Sequence, residues 1–293
     1  MKSYAHIIGI LCISFAIVSC SKEEIQSPDI HIDDFGQVNT DKLPNVPGWF
    51  YSYELEENRE IYVHLPDNYE TSTNERYPCI YLIDANWYMD GSHRRIDEGG
   101  LNGIHNALQT IDSIPDAIII GISNLSSYRI NRRGNDFRIR ADYFYRFITE
   151  ELIPKVDEKY RTDTTFAKGR TLIGHSDGGF FTFFAFTRDK RYFRNFISIS
   201  PSLYNTEFDL YAAEYDLYNT YGNTIPMRYK LFMGTGDKDR VQFVIHLDSM
   251  TRILNERHYN SFEFQSILYK DEDHSSLIEE AIRDGLLHCL GGL

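Results

Sequence analysis

The chain has 293 residues, 42% of them hydrophobic and 14% aromatic, enough for one sizeable core and near the upper end for a single domain. Its 43 acidic residues against 30 basic ones give a formal net charge of -13. That balance argues against a general nucleic-acid binder, which carries a basic excess, and leaves room for a small anionic ligand only where arginines cluster.

The first residues read as a targeting segment. Lys2 supplies the positive start, and residues 7–18 form an apolar run too short for a confident membrane span. The run ends in Val18-Ser19-Cys20, which resembles a bacterial lipobox, so residues 1–19 are expected as a lipoprotein signal peptide and Cys20 as the lipidated residue. Lys22-Glu23-Glu24 resembles the export signal of surface lipoproteins in Bacteroidota. The resulting expectation is a cell-envelope, outer-membrane lipoprotein, periplasmic or surface-exposed. Residues 20–47 are polar, acidic and proline-bearing, the composition of a flexible tether, and residues 48–293 form the folded domain. Once Cys12 and Cys20 are set aside, Cys79 and Cys289 remain, either as a disulfide or as two buried thiols; neither has metal-site spacing.

Residues 49–54 and 60–65 are strand-like, with a turn at Glu57-Asn58-Arg59, a plausible antiparallel hairpin. Residues 77–84 and 117–122 are almost wholly apolar and suit central strands covered on both faces. Apolar positions at helical spacing run from residue 141 to 160, with Pro154 as a kink or boundary. Further strands are predicted at 171–175, 196–199, 228–233 and 262–268, and further helices directly after Ser176, at 241–257 and at 277–287. Residues 203–222, rich in Tyr, read as an irregular insertion. The alternation of strands and helices predicts an α/β fold with a mostly parallel central sheet, helices on both faces and no large cap domain.

Thr171-Leu172-Ile173-Gly174-His175-Ser176-Asp177-Gly178-Gly179, followed by a Phe-rich helix, has the strand, tight turn and helix that a G-x-S-x-G nucleophile elbow requires. Glycines let strand and helix approach while Ser176 sits strained at the bend, and the helix start offers the backbone N–H of Asp177 to an oxyanion. A serine nucleophile needs a base, and the base an orienting acid. Asp237 and Asp239 follow one later strand and His274 follows the last, in the hydrolase order of nucleophile, acid and histidine. Asp237 is the preferred acid, with Asp239 as the alternative. His175 should point away from the site, because neighbouring strand residues face opposite sides.

On these motifs, together with Tyr81-Leu82-Ile83-Asp84, Arg132-Arg133-Gly134-Asn135-Asp136-Phe137 and Ser198-Ile199-Ser200-Pro201-Ser202-Leu203-Tyr204, the chain resembles the putative esterase family of α/β hydrolases. That family groups enterobactin esterases with feruloyl and acetyl-xylan esterases. The resemblance implies a serine esterase with Ser176, Asp237 and His274 as its triad, a second oxyanion donor on the backbone of Asn86, and no metal, nicotinamide or flavin. Where members often carry Asp-Gly, this chain has Asp84-Ala85, which restricts the dihedral there. Trp87 and Tyr88 could line the substrate. Arg129, Arg132, Arg133, Arg138 and Arg140 could clamp a catecholate or carboxylate, with Arg132 or Arg133 foremost, or pair with neighbouring acids. The implied substrate is a siderophore ester or, alternatively, an acetylated or feruloylated polysaccharide. A lipid-anchored binding protein on a hydrolase fold is the reading from another class.

Overall fold

The computed structural model describes residues 36–37, 48–88, 111, 113–126, 130–165, 169–188, 192–205, 208–225 and 228–291. Cys20 and Arg129 therefore lie outside the described residues, as does the side chain of Trp87.

The apolar runs become the middle of one sheet. Strands β4 (Cys79–Ile83) and β6 (Arg170–His175) are covered on both sides, as are β7 (Phe193–Ile199) and β8 (Tyr229–Gly236). With β1 (Gly36–Gln37), β2 (Gly48–Ser52), β3 (Glu57–His64), β5 (Ile118–Ser126) and β9 (Phe262–Tyr269), the order is β1-β3-β5-β4-β6-β7-β8-β9, and β2 pairs with β3. The β2–β3 and β3–β5 pairs are antiparallel; the other pairs, from β5 through β4 to β9 and between β1 and β3, are parallel.

Alternation along the strands sorts the side chains into two cores. From β4, Cys79, Tyr81 and Ile83 enter one, while Ile80 and Leu82 enter the other. The first core is dominated by aromatic rings and takes in the helix Asp177–Arg188, where residues 178–186 are all buried. Each of its fully buried phenylalanines contributes about 1.5–3 kcal/mol of transfer free energy. A helix apolar on every side is the form such a position selects, because neighbours cover it all round. The second core is mainly aliphatic and is closed by the helix Ile278–Leu290. Cys79 and Cys289 are free thiols, one in each core, so the pairing left open by the sequence is not made.

Several local expectations shift. The hairpin turn lies at residues 53–56, where Glu56 takes φ 57, and Glu57-Asn58-Arg59 belongs to β3. Within the stretch expected as tether, Gly36–Gln37 pairs with Tyr62 and Val63. The helix predicted over 141–160 starts earlier and alternates in type: π-helical at Asn135–Ile139 and Phe147–Leu152, α-helical at Ala141–Arg146 and Ile153–Lys159. Pro154 lies in the first turn of the last piece, where its missing N–H interrupts the i→i−4 ladder behind it.

The segment read as irregular contains the helix Leu210–Tyr221, capped by the Asp209 carboxylate at its start and by Gly222 at φ 60 at its end. Its buried face holds Glu214, which receives Arg257 at 3.0 and 3.0 Å and the Tyr259 hydroxyl at 2.9 Å. Leu210 enters the first core and Leu217 and Tyr218 pack against it, but the charged Glu214 in the middle of that face breaks the apolar stripe.

Candidate active site

The structure strains the backbone where the sequence placed its nucleophile. Ser176 takes φ 61, a left-handed conformation that costs a non-glycine residue of order 1–3 kcal/mol. Its N–H donates to the Ile199 carbonyl at 2.8 Å, and its own carbonyl accepts from Phe180 at 2.9 Å and Ser202 at 3.2 Å. Close approach explains the flanking glycines: a Cβ on Gly174 would stand 2.2 Å from the Gly178 carbonyl oxygen, and one on Gly179 2.6 Å from that of Ile199. Asp177 opens the helix, so its N–H is one of the donors that a helix start leaves without an intrahelical partner.

On the far side, β8 continues through Gly234-Thr235-Gly236, three residues beyond the strand predicted over 228–233. Asp237 then lies in the turn that follows, bonded to the loop after β9 rather than to the histidine. Its N–H donates to Tyr269 at 2.8 Å, and its exposed carboxylate accepts from the Asp271 N–H at 2.8 Å. The turn closes when the Asp239 N–H donates back to Gly236 at 3.2 Å, aiming Asp239 at the loop after β9. There Asp239 Oδ2 lies 2.7 Å from His274 Nδ1, the carboxylate fully buried and the imidazole 33% exposed. The acid against the histidine is Asp239, not Asp237. The second Asp239 oxygen accepts from the Arg240 N–H at 2.6 Å. With a carboxylate on Nδ1, the neutral imidazole carries its proton there and presents Nε2 as an acceptor.

His274 is fixed from two other directions. Asp273 accepts from the N–H groups of Ser275 and Ser276 at 2.8 and 2.9 Å, bonds that hold its carboxyl below the usual range and shape the loop. His175 Nε2 lies 2.7 Å from the His274 carbonyl, their rings 4.5 Å apart. Burial, followed by the charges of His274 and Arg133, pulls the His175 pKa well down, so it stays neutral and donates. His175 therefore does not point away from the site, as strand alternation suggested; its ring lies beside that of His274 and bonds the backbone of that residue. Phe243, which no motif announced, packs its ring 4.6 Å from that of His274.

The loop after β4 also begins with a left-handed residue. It is Asp84, at φ 61, that takes the strained dihedral, and Ala85 enters the short helix Ala85–Tyr88. The buried Asn86 amide oxygen accepts from the Asn124 N–H at 3.0 Å, which fixes the residue whose backbone was expected to face the oxyanion. Trp87 follows in the same short helix.

Among the described residues, the arginines of the cluster pair with the protein's own groups. Arg132 pairs with Glu57 at 2.8 Å, beside the buried Arg59–Asp136 pair. Arg133 Nε donates to both Asp84 oxygens at 3.0 Å, Nη1 to Asp177 Oδ2 at 2.8 Å and Nη2 to the His175 carbonyl at 3.0 Å. Arg138 and the Ser202 hydroxyl bind the other Asp177 oxygen, and Arg140 lies over the Tyr143 ring. Burial pushes Asp177 up, but the hydrogen bonds from Arg138 and Ser202 and the charges of Arg133 and Arg138 bring it below its ordinary value. Asp84, wholly buried, is raised to about 6 although Arg133 opposes the shift. Of the two readings open for these arginines, Arg132 and Arg133 follow the second, pairing with the protein's own carboxylates. The sequence signal existed, in Asp84, Asp136 and Asp177, but not the pairing.

A mostly parallel sheet carrying a strained serine between β6 and its helix, an acid after β8 and a histidine after β9 defines an α/β hydrolase. Residues 52–279 match the Putative esterase family, and the chain belongs to it. It is 26% identical over 200 residues to the ferri-bacillibactin esterase BesA of Bacillus subtilis (strain 168), covering 61% of this chain and 66% of that relative's length. Among solved structures, the IroE-like serine hydrolase from Shewanella oneidensis aligns with a TM-score of 0.67 and 23% identity, over 82% of this chain and 78% of that one. The feruloyl esterase module from Clostridium thermocellum aligns with a TM-score of 0.61 and 18% identity, over 85% and 88%. At such identities the structural matches speak for the fold alone.

Proposed function

We propose that the protein is a serine ester hydrolase with Ser176 as nucleophile, His274 as general base and Asp239 as orienting acid. The observation that carries this reading is the 2.7 Å contact between His274 Nδ1 and the buried Asp239, on the same sheet as a serine held at φ 61. In the proposed reaction, Ser176 Oγ attacks the ester carbonyl as His274 Nε2 takes its proton, and the N–H groups of Asp177 and Asn86 receive the oxyanion. His274 returns the proton to the departing alkoxide, then activates water to cleave the acyl-enzyme. No metal or organic cofactor enters any of these steps.

The substrate class we favour is a siderophore ester, supported by the name of the Bacillus subtilis relative. Trp87, next to Asn86, is the proposed contact on the substrate side. An acylated carbohydrate is the second reading, supported by the likeness to the feruloyl esterase module. A matched panel of p-nitrophenyl acetate, a feruloylated arabinose oligosaccharide, acetylated xylan and a ferric catecholate triester, with Ser176→Ala as control, separates them. Serine-dependent turnover concentrated on the triester supports the first reading, and preference for the acyl sugars supports the second. Silence on every substrate, together with no labelling of Ser176 by a phosphonate, would return the chain to a binding role.

We further propose that Cys20 carries the lipid that holds the protein at the cell envelope. Among the described residues no helix is long and apolar enough to cross a membrane. Incorporation of an alkynyl fatty acid that is lost in Cys20→Ala is the expected result, and equal labelling of both would refute the anchor.

A further inference from the structure

The two oxyanion donors of the proposed reaction sit on separate loops. Asn86 follows β4 and Asp177 follows β6, and these strands are sheet neighbours. Their pairing, however, ends at Leu82 with Ile173. Beyond it, Asp84 and Ser176 both take φ 61 and the two chains turn away from the sheet. The ladder that spaces two parallel strands therefore does not reach the residues whose spacing matters.

Arg133 reaches them. Its guanidinium grips Asp84, two residues before Asn86, by both carboxylate oxygens, and on its other edge bonds the Asp177 side chain and the carbonyl of His175. We propose that Arg133 is a positioning residue for the oxyanion hole, a rigid spacer that sets the distance between the Asn86 and Asp177 N–H groups without touching the substrate. This rests on the ester-hydrolase reading above.

The surroundings fit a spacer. The Arg133 side chain is only 12% exposed, between a fully buried Asp84 and an Asp177 that is 15% exposed. The guanidinium packs over the Phe137 ring at 5.6 Å, and the Arg133 N–H donates to Asn131 Oδ1 at 2.9 Å, so plane and backbone are both held. Gly178 has no Cβ, which would stand 3.0 Å from Asp84 Oδ2, so the elbow helix can come up against the acid that Arg133 holds. A planar fork can satisfy two carboxylates and a carbonyl together, whereas a lysine ammonium is a single point that cannot span them. Oxyanion donors displaced by about 1 Å lose much of their effect, because they act on charge that develops at one place.

The test uses Arg133→Lys and the paired change Arg133→Gln with Asp84→Asn, which removes the buried acid along with its partner and so leaves no lone charge behind. Each is assayed with p-nitrophenyl acetate beside the parent and Ser176→Ala, with Tm and the Ki of an alkyl boronic acid, a mimic of the tetrahedral state. The expected result in the folded variants is kcat reduced about 100-fold, KM within about threefold of the parent, and boronic acid affinity falling in step with kcat. A folded variant that keeps kcat within about threefold would make Arg133 a plain structural ion pair and overturn the proposal. A raised KM with unchanged kcat would overturn it too, by making Arg133 a substrate contact. Activity surviving in Ser176→Ala is a different failure, that of the hydrolase reading itself.

Discussion

Around Ser176 the chain leaves no room for any residue but glycine, whereas around His274 a crowd of carboxylates competes for one place. At the elbow, a single methyl on Gly174 would stand 2.2 Å from a backbone oxygen and 2.6 Å from Thr182 Oγ1. At the other shoulder, Asp237, Asp271, Glu272 and Asp273 share the turn region with Asp239, and what distinguishes Asp239 is its burial and one 2.7 Å contact. A steric requirement is written in residue type, since only glycine meets it. An electrostatic requirement is met by any carboxylate that arrives, so residue type says little and path length decides.

The largest test of that contrast is chemical. Ser176→Ala should lower kcat by at least about 10⁴-fold with Tm unchanged, and Asp239→Asn should lower it by about 10⁴-fold, because the imidazole loses its oriented tautomer. Asp237→Asn should stay within about threefold of the parent; equal losses in the two aspartate variants would erase the distinction drawn here. Next comes Gly174→Ala, whose methyl meets the Gly178 backbone as well as Thr182, and the backbone cannot swing aside. A cost of about 3 kcal/mol is expected, read as a Tm lower by roughly 10 °C. A Tm within about 2 °C of the parent would mean that the elbow can relax.

The smallest effect concerns His175 and is resolved by pH. Its folded pKa is depressed, so below about 6.5 the unfolded chain binds a proton that the native protein does not. This group's contribution to stability is therefore intact above that pH and falls away on acidification. The stability gap between the parent and His175→Gln should narrow from pH 6.5 to 5, by at most about 1.4 kcal/mol per unit. A constant gap would show that His175 titrates normally.

The same contrast explains what could be read in advance. The central strands were legible because burial on both faces leaves unbroken apolar runs, as at Cys79–Ile83. The elbow was legible through its glycines. The helix Leu210–Tyr221 was not, because the residue it buries most deeply besides Leu210 is the charged Glu214, whose partners Arg257 and Tyr259 lie more than 40 residues on, at separations of 43 and 45. Asp239 stood second to Asp237 because a strand end cannot be counted from apolar residues alone when Gly234-Thr235-Gly236 still lies in the sheet. Arg133 looked like a ligand contact for a related reason: nothing local in a run of arginines tells which of them turns toward acids 49 and 44 residues away.

The bond from His175 to the His274 carbonyl joins residues 99 apart in the chain, and β9, which delivers His274, is the last strand and lies at the edge of the sheet. A polypeptide still leaving the ribosome thus exposes Ser176 well before it has the imidazole meant to activate it. Under the proposed chemistry, the hydroxyl remains an ordinary alcohol until β9 has docked along β8 and the carbonyl of His274 has met His175. On the proposed chemistry, a chain cut before β9 would hold Ser176 without the imidazole that activates it, so esterase activity would arrive only with the last strand.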